Sequence, residues 1–133
     1  TGRQSVIIQI DTKKIDGKYM CFTHGARELS TYNLSEWINL ATDYGAGELH
    51  ITSIDSEGTT SPFPDELAEI ASSATEFPLI FSGGIRSAAQ IQHLYTNFGV
   101  DSFSFSSWTN VDNVSVSTIR SNLRSLGLSV RLT

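Results

Sequence analysis

The chain has 133 residues, 39% of them hydrophobic and 17% charged, with a net charge of −5. This is enough for one domain with a moderate core. The acidic balance argues against a nucleic-acid binder, which needs a basic face. No apolar run approaches the roughly 18 residues of a membrane span.

The first ten residues show no charged-then-apolar leader pattern, so a cytoplasmic location is the expectation. Cys21 is alone, which excludes an intrachain disulfide and disfavours a cysteine metal site. No cofactor and no metal are expected.

Ser5–Asp11 (SVIIQID) is almost continuously apolar until its closing acid, and reads as a strand buried on both faces. The stretch 12–32 follows, long for a strand-to-helix connection. Within it Asp16-Gly17 signals a turn, and Lys18–Thr23 (KYMCFT) suits an extra hairpin strand. A helix is predicted from Leu34 to Tyr44. Asn33 caps it, Glu36 completes a capping box, and Leu34, Trp37, Ile38 and Ala41 form its apolar face. Glu48–Ile54 is the next strand, running into the polar loop Asp55–Thr60. Pro64 opens a second helix, Asp65–Ala74.

Pro78–Ser82 (PLIFS) is the third strand and runs into Gly83-Gly84. A helix is expected from Ser87 to Asn97, closed by Gly99. Val100–Phe105 is the fourth strand, followed by Ser106-Ser107, a helix over Val116–Leu126 and a short tail, Leu128–Leu132. Residues 1–133 therefore read as one domain of four βα units, with strands near 5–11, 48–54, 78–82 and 100–105. The pattern predicts parallel strands with right-handed crossovers. Both a small open sheet and half of an eight-stranded barrel satisfy it. The strand starts are unevenly spaced, so no short solenoid repeat is present.

In parallel α/β sheets ligands bind at the carboxyl ends of strands. Here those ends carry Asp11, Asp55, Gly58-Thr59, Ser82-Gly83-Gly84 and Ser106-Ser107. Glycine and backbone N–H groups beside a helix start favour a phosphate. The plain alternative is that Gly83-Gly84 is only a tight turn. Asp11 and Asp55 at equivalent ends suit paired acid–base work. The alternative makes Asp55 a loop cap and Asp11 a solvated strand end. Glu57 reads as a solvated loop acid. His24, His50 and His93 lack metal-ligand spacing. His50 falls inside a strand, where packing or a hydrogen bond satisfies it. Met20, Cys21 and Trp37 read as core or near-core residues. Trp108 suits either a pocket wall or the core. The triplets Asn33-Leu34-Ser35 and Asn113-Val114-Ser115 are chance matches to a glycosylation signal.

The runs VIIQIDTKKIDGKYMCFTHGARE, GAGELHITSIDSEGT, PLIFSGG and NLRSLGLSVRL, in this order and spacing, resemble the second half of the cyclase subunit of imidazole glycerol phosphate synthase. The resemblance extends from Ser5 to Leu132. It implies a (βα)4 half of a (β/α)8 barrel. That family takes ammonia from a glutaminase partner and acts on an open-chain phosphorylated aminoimidazole substrate. It closes an imidazole ring in histidine biosynthesis and releases an aminoimidazole carboxamide ribotide. The resemblance assigns Asp11 to one of two catalytic aspartates. It assigns Thr52, Asp55, Glu57 and Gly58 to the active-site strand and loop, and Gly84 and Ser107 to phosphate binding. Glu48, at the opposite end, matches a charged ring around the ammonia entrance.

Several residues depart from that pattern. Arg86 follows the glycine pair where the family often has glycine. Glu57 replaces an aspartate. Trp108-Thr109-Asn110 replaces a more apolar stretch, and HGAREL replaces a lysine-rich segment. They leave open a related amidating synthase of surface-sugar biosynthesis, with another substrate and a similar glutaminase partner, or a non-catalytic half-barrel scaffold. A half-barrel exposes two sheet edges and the apolar interior of a barrel, and edges invite pairing. The expectation is a two-fold homodimer closing an eight-stranded barrel, or a first half supplied by a longer protein. The second catalytic aspartate lies outside this chain, so the chain alone is expected to show no or trace cyclase activity.

Overall fold

The structure is a computed structural model that describes residues 7–23, 28–57, 61–104 and 116–132. Its strands are β1 (Ile7–Ile15), β2 (Lys18–Thr23), β3 (Glu28–Asn33), β4 (Glu48–Ser53), β5 (Leu79–Ser82), β6 (Ser102–Phe103) and β7 (Arg131–Leu132). Its helices are α1 (Leu34–Asp43), α2 (Asp65–Ala74), α3 (Ala88–Phe98) and α4 (Val116–Ser125), with a 3₁₀ turn at Ile54–Ser56. The strands form one sheet in the order β3-β2-β1-β4-β5-β6-β7. From β1 through β4, β5 and β6 to β7 every pairing is parallel. β1–β2 and β2–β3 are antiparallel.

Local chemistry explains the element boundaries. The Asn33 side chain accepts from the Glu36 N–H at 2.9 Å, and Glu36 Oε1 accepts from the Asn33 N–H at 3.0 Å. The capping box thus starts α1 where β3 ends. Ser87 caps α3 by accepting from the Gln90 N–H. Asp16 and Gly17, at φ 51° and 82°, make the two-residue turn between β1 and β2. Two successive positive φ values match the twist of a tight hairpin.

The four helices share one face of the sheet. Ile10, Leu49, Ile51, Phe81 and Phe103 point toward them and join Leu34, Ile38, Leu67, Ile91, Leu94, Ile119 and Leu123 in one buried cluster. Phe63, after the β4 loop, stacks on Phe81 with ring centroids 4.4 Å apart. Each unit packs a helix onto the layer built by its neighbours, as half of an eight-stranded barrel requires.

Three expectations change. The first strand does not end at Asp11: β1 continues to Ile15, where it pairs with the expected hairpin strand β2, and β3 adds a further antiparallel strand. The tail ends in a further strand, β7, beside β6. The face turned away from the helices is not apolar. Register places Gln9, His50, Ile80, Ser102 and Arg131 in one row across it, with Asp11, Thr52 and Ser82 in the row above. β4 alternates accordingly, with Leu49, Ile51 and Ser53 buried and Glu48, His50 and Thr52 half-buried. The strand is thus apolar on one side only.

Candidate functional site

At the carboxyl ends of β1, β4 and β5 the sequence alternates so that an acid and two hydroxyls share the open face. Asp11 is in register with Thr52, and Thr52 with Ser82. Neighbouring parallel strands are about 4.8 Å apart, so the three side chains form one row. Among the described residues, no group donates a hydrogen bond to the Asp11 carboxylate. Its pKa is raised above the usual carboxylate value. Burial is the main cause, the nearby Glu57 charge adds to it, and His50 opposes it. Asp11 therefore holds a proton more readily than an isolated aspartate, as an acid–base group needs.

From the row below, a chain of polar contacts crosses three strands and rises into this one. Gln9 Nε2 lies 2.9 Å from His50 Nδ1. His50 Nε2 lies 2.9 Å from Ser82 Oγ, and Ser82 Oγ lies 2.7 Å from Thr52 Oγ1. Burial holds the His50 pKa down, against the opposing pull of Asp11 and Glu57. A half-buried imidazole with a partner at each nitrogen is favoured in its neutral form.

Asp55 is the middle residue of the 3₁₀ turn that follows β4. Its Oδ2 accepts from the Lys14 backbone N–H at 2.9 Å, which ties the β1 extension to the β4 loop. Lys14 Nζ reaches Glu66 at the start of α2, at 2.8 Å. Asp55 thus does the loop-fastening work that the sequence left as one alternative. Glu57 follows the turn, exposed, close enough for its charge to act on both Asp11 and His50.

Gly83 and Gly84, at φ 94° and 80°, carry the chain out of β5 in a conformation that disfavours side chains. A Cβ on Gly83 would stand 2.5 Å from Ser53 O, and one on Gly84 2.6 Å from Ser61 O. The pair therefore brings the β5 end against the β4 loop. Gln90 fastens the turn by donating to Gly84 O at 2.7 Å and accepting from the Arg86 N–H at 2.6 Å. Arg86 Nη1 donates to Ser61 O at 3.0 Å and Nη2 to Ser56 O at 3.4 Å. The guanidinium thereby braces the β4 loop. Its Nε is buried without a partner among the described residues.

Glu48 lies at the opposite, amino end of β4, where Arg131 donates to it through Nη2. The sequence reading missed Gln9 and Arg131; it named Ser82 at a strand end and His50 as satisfied inside a strand, but did not join them. The period-two polar pattern Glu48-His50-Thr52 is the signal that reveals the polar face.

The structure therefore gathers Asp11, Thr52 and Glu57 at one mouth, sets Gly84 at the neighbouring strand end, and separates Glu48 from them. Gly58 and Ser107, together with His24 and Trp108, lie outside the described residues. Cys21 is fully buried, and burial, helped by Glu36, pushes its thiol up to about 12, so it is chemically inert at neutral pH. Among the described residues, no group of three or more His, Cys, Asp or Glu could hold a metal ion. No helix there is long and apolar enough to cross a membrane. A surface cavity of about 440 Å³ opens between the starts of α2 and α3, lined by Phe63, Asp65, Gln90 and His93. It lies on the helix side and includes none of the Asp11 row.

Comparison with known proteins agrees with this architecture. The sequence profile described as "Histidine biosynthesis protein" matches residues 1–107. The imidazole glycerol phosphate synthase subunit HisF of Chlorobaculum tepidum is 34% identical over 134 residues, covering 98% of this chain and 52% of the relative. The subunit of the same name from Chlorobium phaeobacteroides (strain BS1) shows the same identity and coverage. That of Thermotoga sp. (strain RQ2) is 32% identical over 133 residues, covering 98% of this chain and 51% of the relative. The chain spans about half the length of these relatives, and corresponds to their C-terminal half. By the profile match and by these relatives, it belongs to the histidine biosynthesis protein family.

Proposed function

We propose that the chain supplies one half of the active site of an ammonia-dependent cyclase-lyase acting on a phosphorylated substrate in histidine biosynthesis. The observation that carries this is the Asp11 row: a carboxyl group with a raised pKa, beside Thr52 and Ser82, at the carboxyl end of a parallel sheet. Asp11 moves the proton as the ring closes. Thr52, Asp55, Glu57 and Gly58 form the wall and loop of the substrate site, with Gly84 and Ser107 offering backbone N–H groups to the phosphate. Glu48, at the other end of the sheet, belongs to the entrance through which a glutaminase partner delivers ammonia. Such a protein works in the cytoplasm.

The site needs a second half to face it. From Ile7 to Ile10 the outer edge of β1 has no strand partner among the described residues, because β2 pairs only with Asp11–Ile15. A further strand belongs there, either from a first half or from a second copy in a two-fold dimer. In a dimer the two copies of Asp11 stand across one mouth.

The test completes the chain with the other half of the Chlorobaculum tepidum relative and measures turnover with ammonia. Wild type is expected to turn over and Asp11→Asn to lose about 100-fold or more. Wild-type rates in Asp11→Asn overturn the catalytic assignment. Turnover of a sugar substrate alone reassigns the reaction to amidation.

A further inference from the structure

The row beneath Asp11 has a direction, and the direction has a chemical consequence. The Gln9 amide nitrogen carries only donors. Placed 2.9 Å from His50 Nδ1, it makes that nitrogen the acceptor. The neutral ring then holds its proton on Nε2 and donates it to Ser82 Oγ, 2.9 Å away. With one lone pair of Ser82 taken, its own proton is free to run to Thr52 Oγ1 at 2.7 Å. When Ser82 donates, Thr52 is left with an O–H directed away from it; Thr52 donating to the second Ser82 lone pair would instead turn its own lone pairs toward Asp11. A second argument selects the first direction. Asp11 is the register partner of Thr52, so a hydroxyl proton presented near that carboxylate is favoured, and lone pairs presented there are not.

We propose that Gln9 and His50 are positioning residues that set the polarity of the Thr52 hydroxyl, making it a donor that selects an oxygen acceptor on the ligand beside Asp11. A carbonyl or hydroxyl oxygen of a phosphosugar fits. An ammonium in the same place does not, because it has no lone pair to accept the hydroxyl proton. Reversing the first link reverses every later one. If Gln9 becomes acceptor-only, the neutral His50 ring must hold its proton on Nδ1, Nε2 accepts from Ser82, Ser82 accepts from Thr52, and Thr52 offers only lone pairs. The charged groups facing His50 are Asp11 from β1 and Glu57 from the turn after β4. From β5 it meets the uncharged Ser82.

This inference rests on the reading of the strand ends as a phosphosugar site, and the test separates the two. Nitrogen NMR of the imidazoles in the full chain at neutral pH is expected to show His50 with its proton on Nε2 in wild type and on Nδ1 in Gln9→Glu. Ribose 5-phosphate is expected to bind wild type and to bind Gln9→Glu about tenfold more weakly, the scale of one hydrogen bond turned unfavourable. Thr52→Val is expected to weaken binding similarly, and Gln9→Glu to add nothing in that background. A wild-type proton on Nδ1 overturns the proposal. So does equal binding by wild type and Gln9→Glu, or a further loss from Gln9→Glu on top of Thr52→Val, which would mark plain charge repulsion. Absence of ribose 5-phosphate binding by wild type overturns the phosphosugar reading and the selectivity role with it.

Discussion

Arg131, on the last strand, closes an ion pair on Glu48 of β4 although β5 and β6 lie between them. The Glu48 side chain is 15% exposed and that of Arg131 50%, so the pair is partly desolvated. A double-mutant cycle with Glu48→Gln and Arg131→Gln, read by urea unfolding, is expected to give a coupling of about 1 kcal/mol, at the upper end for exposed pairs. A coupling indistinguishable from zero would show that the tail docks through Leu128, Val130 and Leu132 alone.

Asp11 gives a pH-dependent stability of definite sign. Its folded pKa is raised above 3.8, so the stability linked to it is complete below that value and is lost as the pH climbs through the folded pKa. Asp11→Asn should therefore stabilise the fold at pH 7, by up to about 1 kcal/mol after solvent screening. The difference from wild type should vanish below pH 3.8. Equal melting temperatures at pH 7 would contradict this.

His50 acts in the opposite direction. Its folded pKa is lowered below 6.5, so its contribution is complete above that value and falls away as the pH drops through the folded pKa. Thermal melts of wild type from pH 7.5 down to 5 should show this loss. His50→Gln, which keeps one donor and one acceptor, should flatten that part of the profile. An unchanged profile in the variant would remove His50 as its source.

Gly83→Ala and Gly84→Ala should each destabilise by at least about 2 kcal/mol, from the left-handed backbone and from main-chain overlap together. Gly17→Ala, with nothing within 4 Å of the added carbon, loses only the backbone term. Chemical denaturation of the three variants compares them directly. A Gly84→Ala cost no greater than that of Gly17→Ala would mean the β4 loop moves aside freely.

The helices were readable because their signals are local. Asn33 and Glu36 are three residues apart, and Ser87 stands next to the helix it caps. β3 carries no comparable signal. Glu28–Asn33 lacks an apolar alternation and becomes a strand by pairing with β2. β7 has two residues and forms on the edge of β6. Asp11 was legible as an acid closing an apolar run. The Gln9–His50–Ser82–Thr52 chain was not, because it depends on the register of three strands separated in sequence by 41 and 32 residues. Asp55 showed its charge in the sequence, but its hold on the Lys14 N–H required the unexpected length of β1.

That length has a mechanical consequence. The hairpin occupies the outer edge of β1 from Asp11 onward and, among the described residues, leaves Ile7–Ile10 open. A strand arriving from another half or another copy can slide along that edge only until it meets Phe22, the partner of Asp11. The hairpin is thus a depth stop. It limits how far an incoming strand can advance, and so confines the level at which an acid on that strand can stand relative to Asp11.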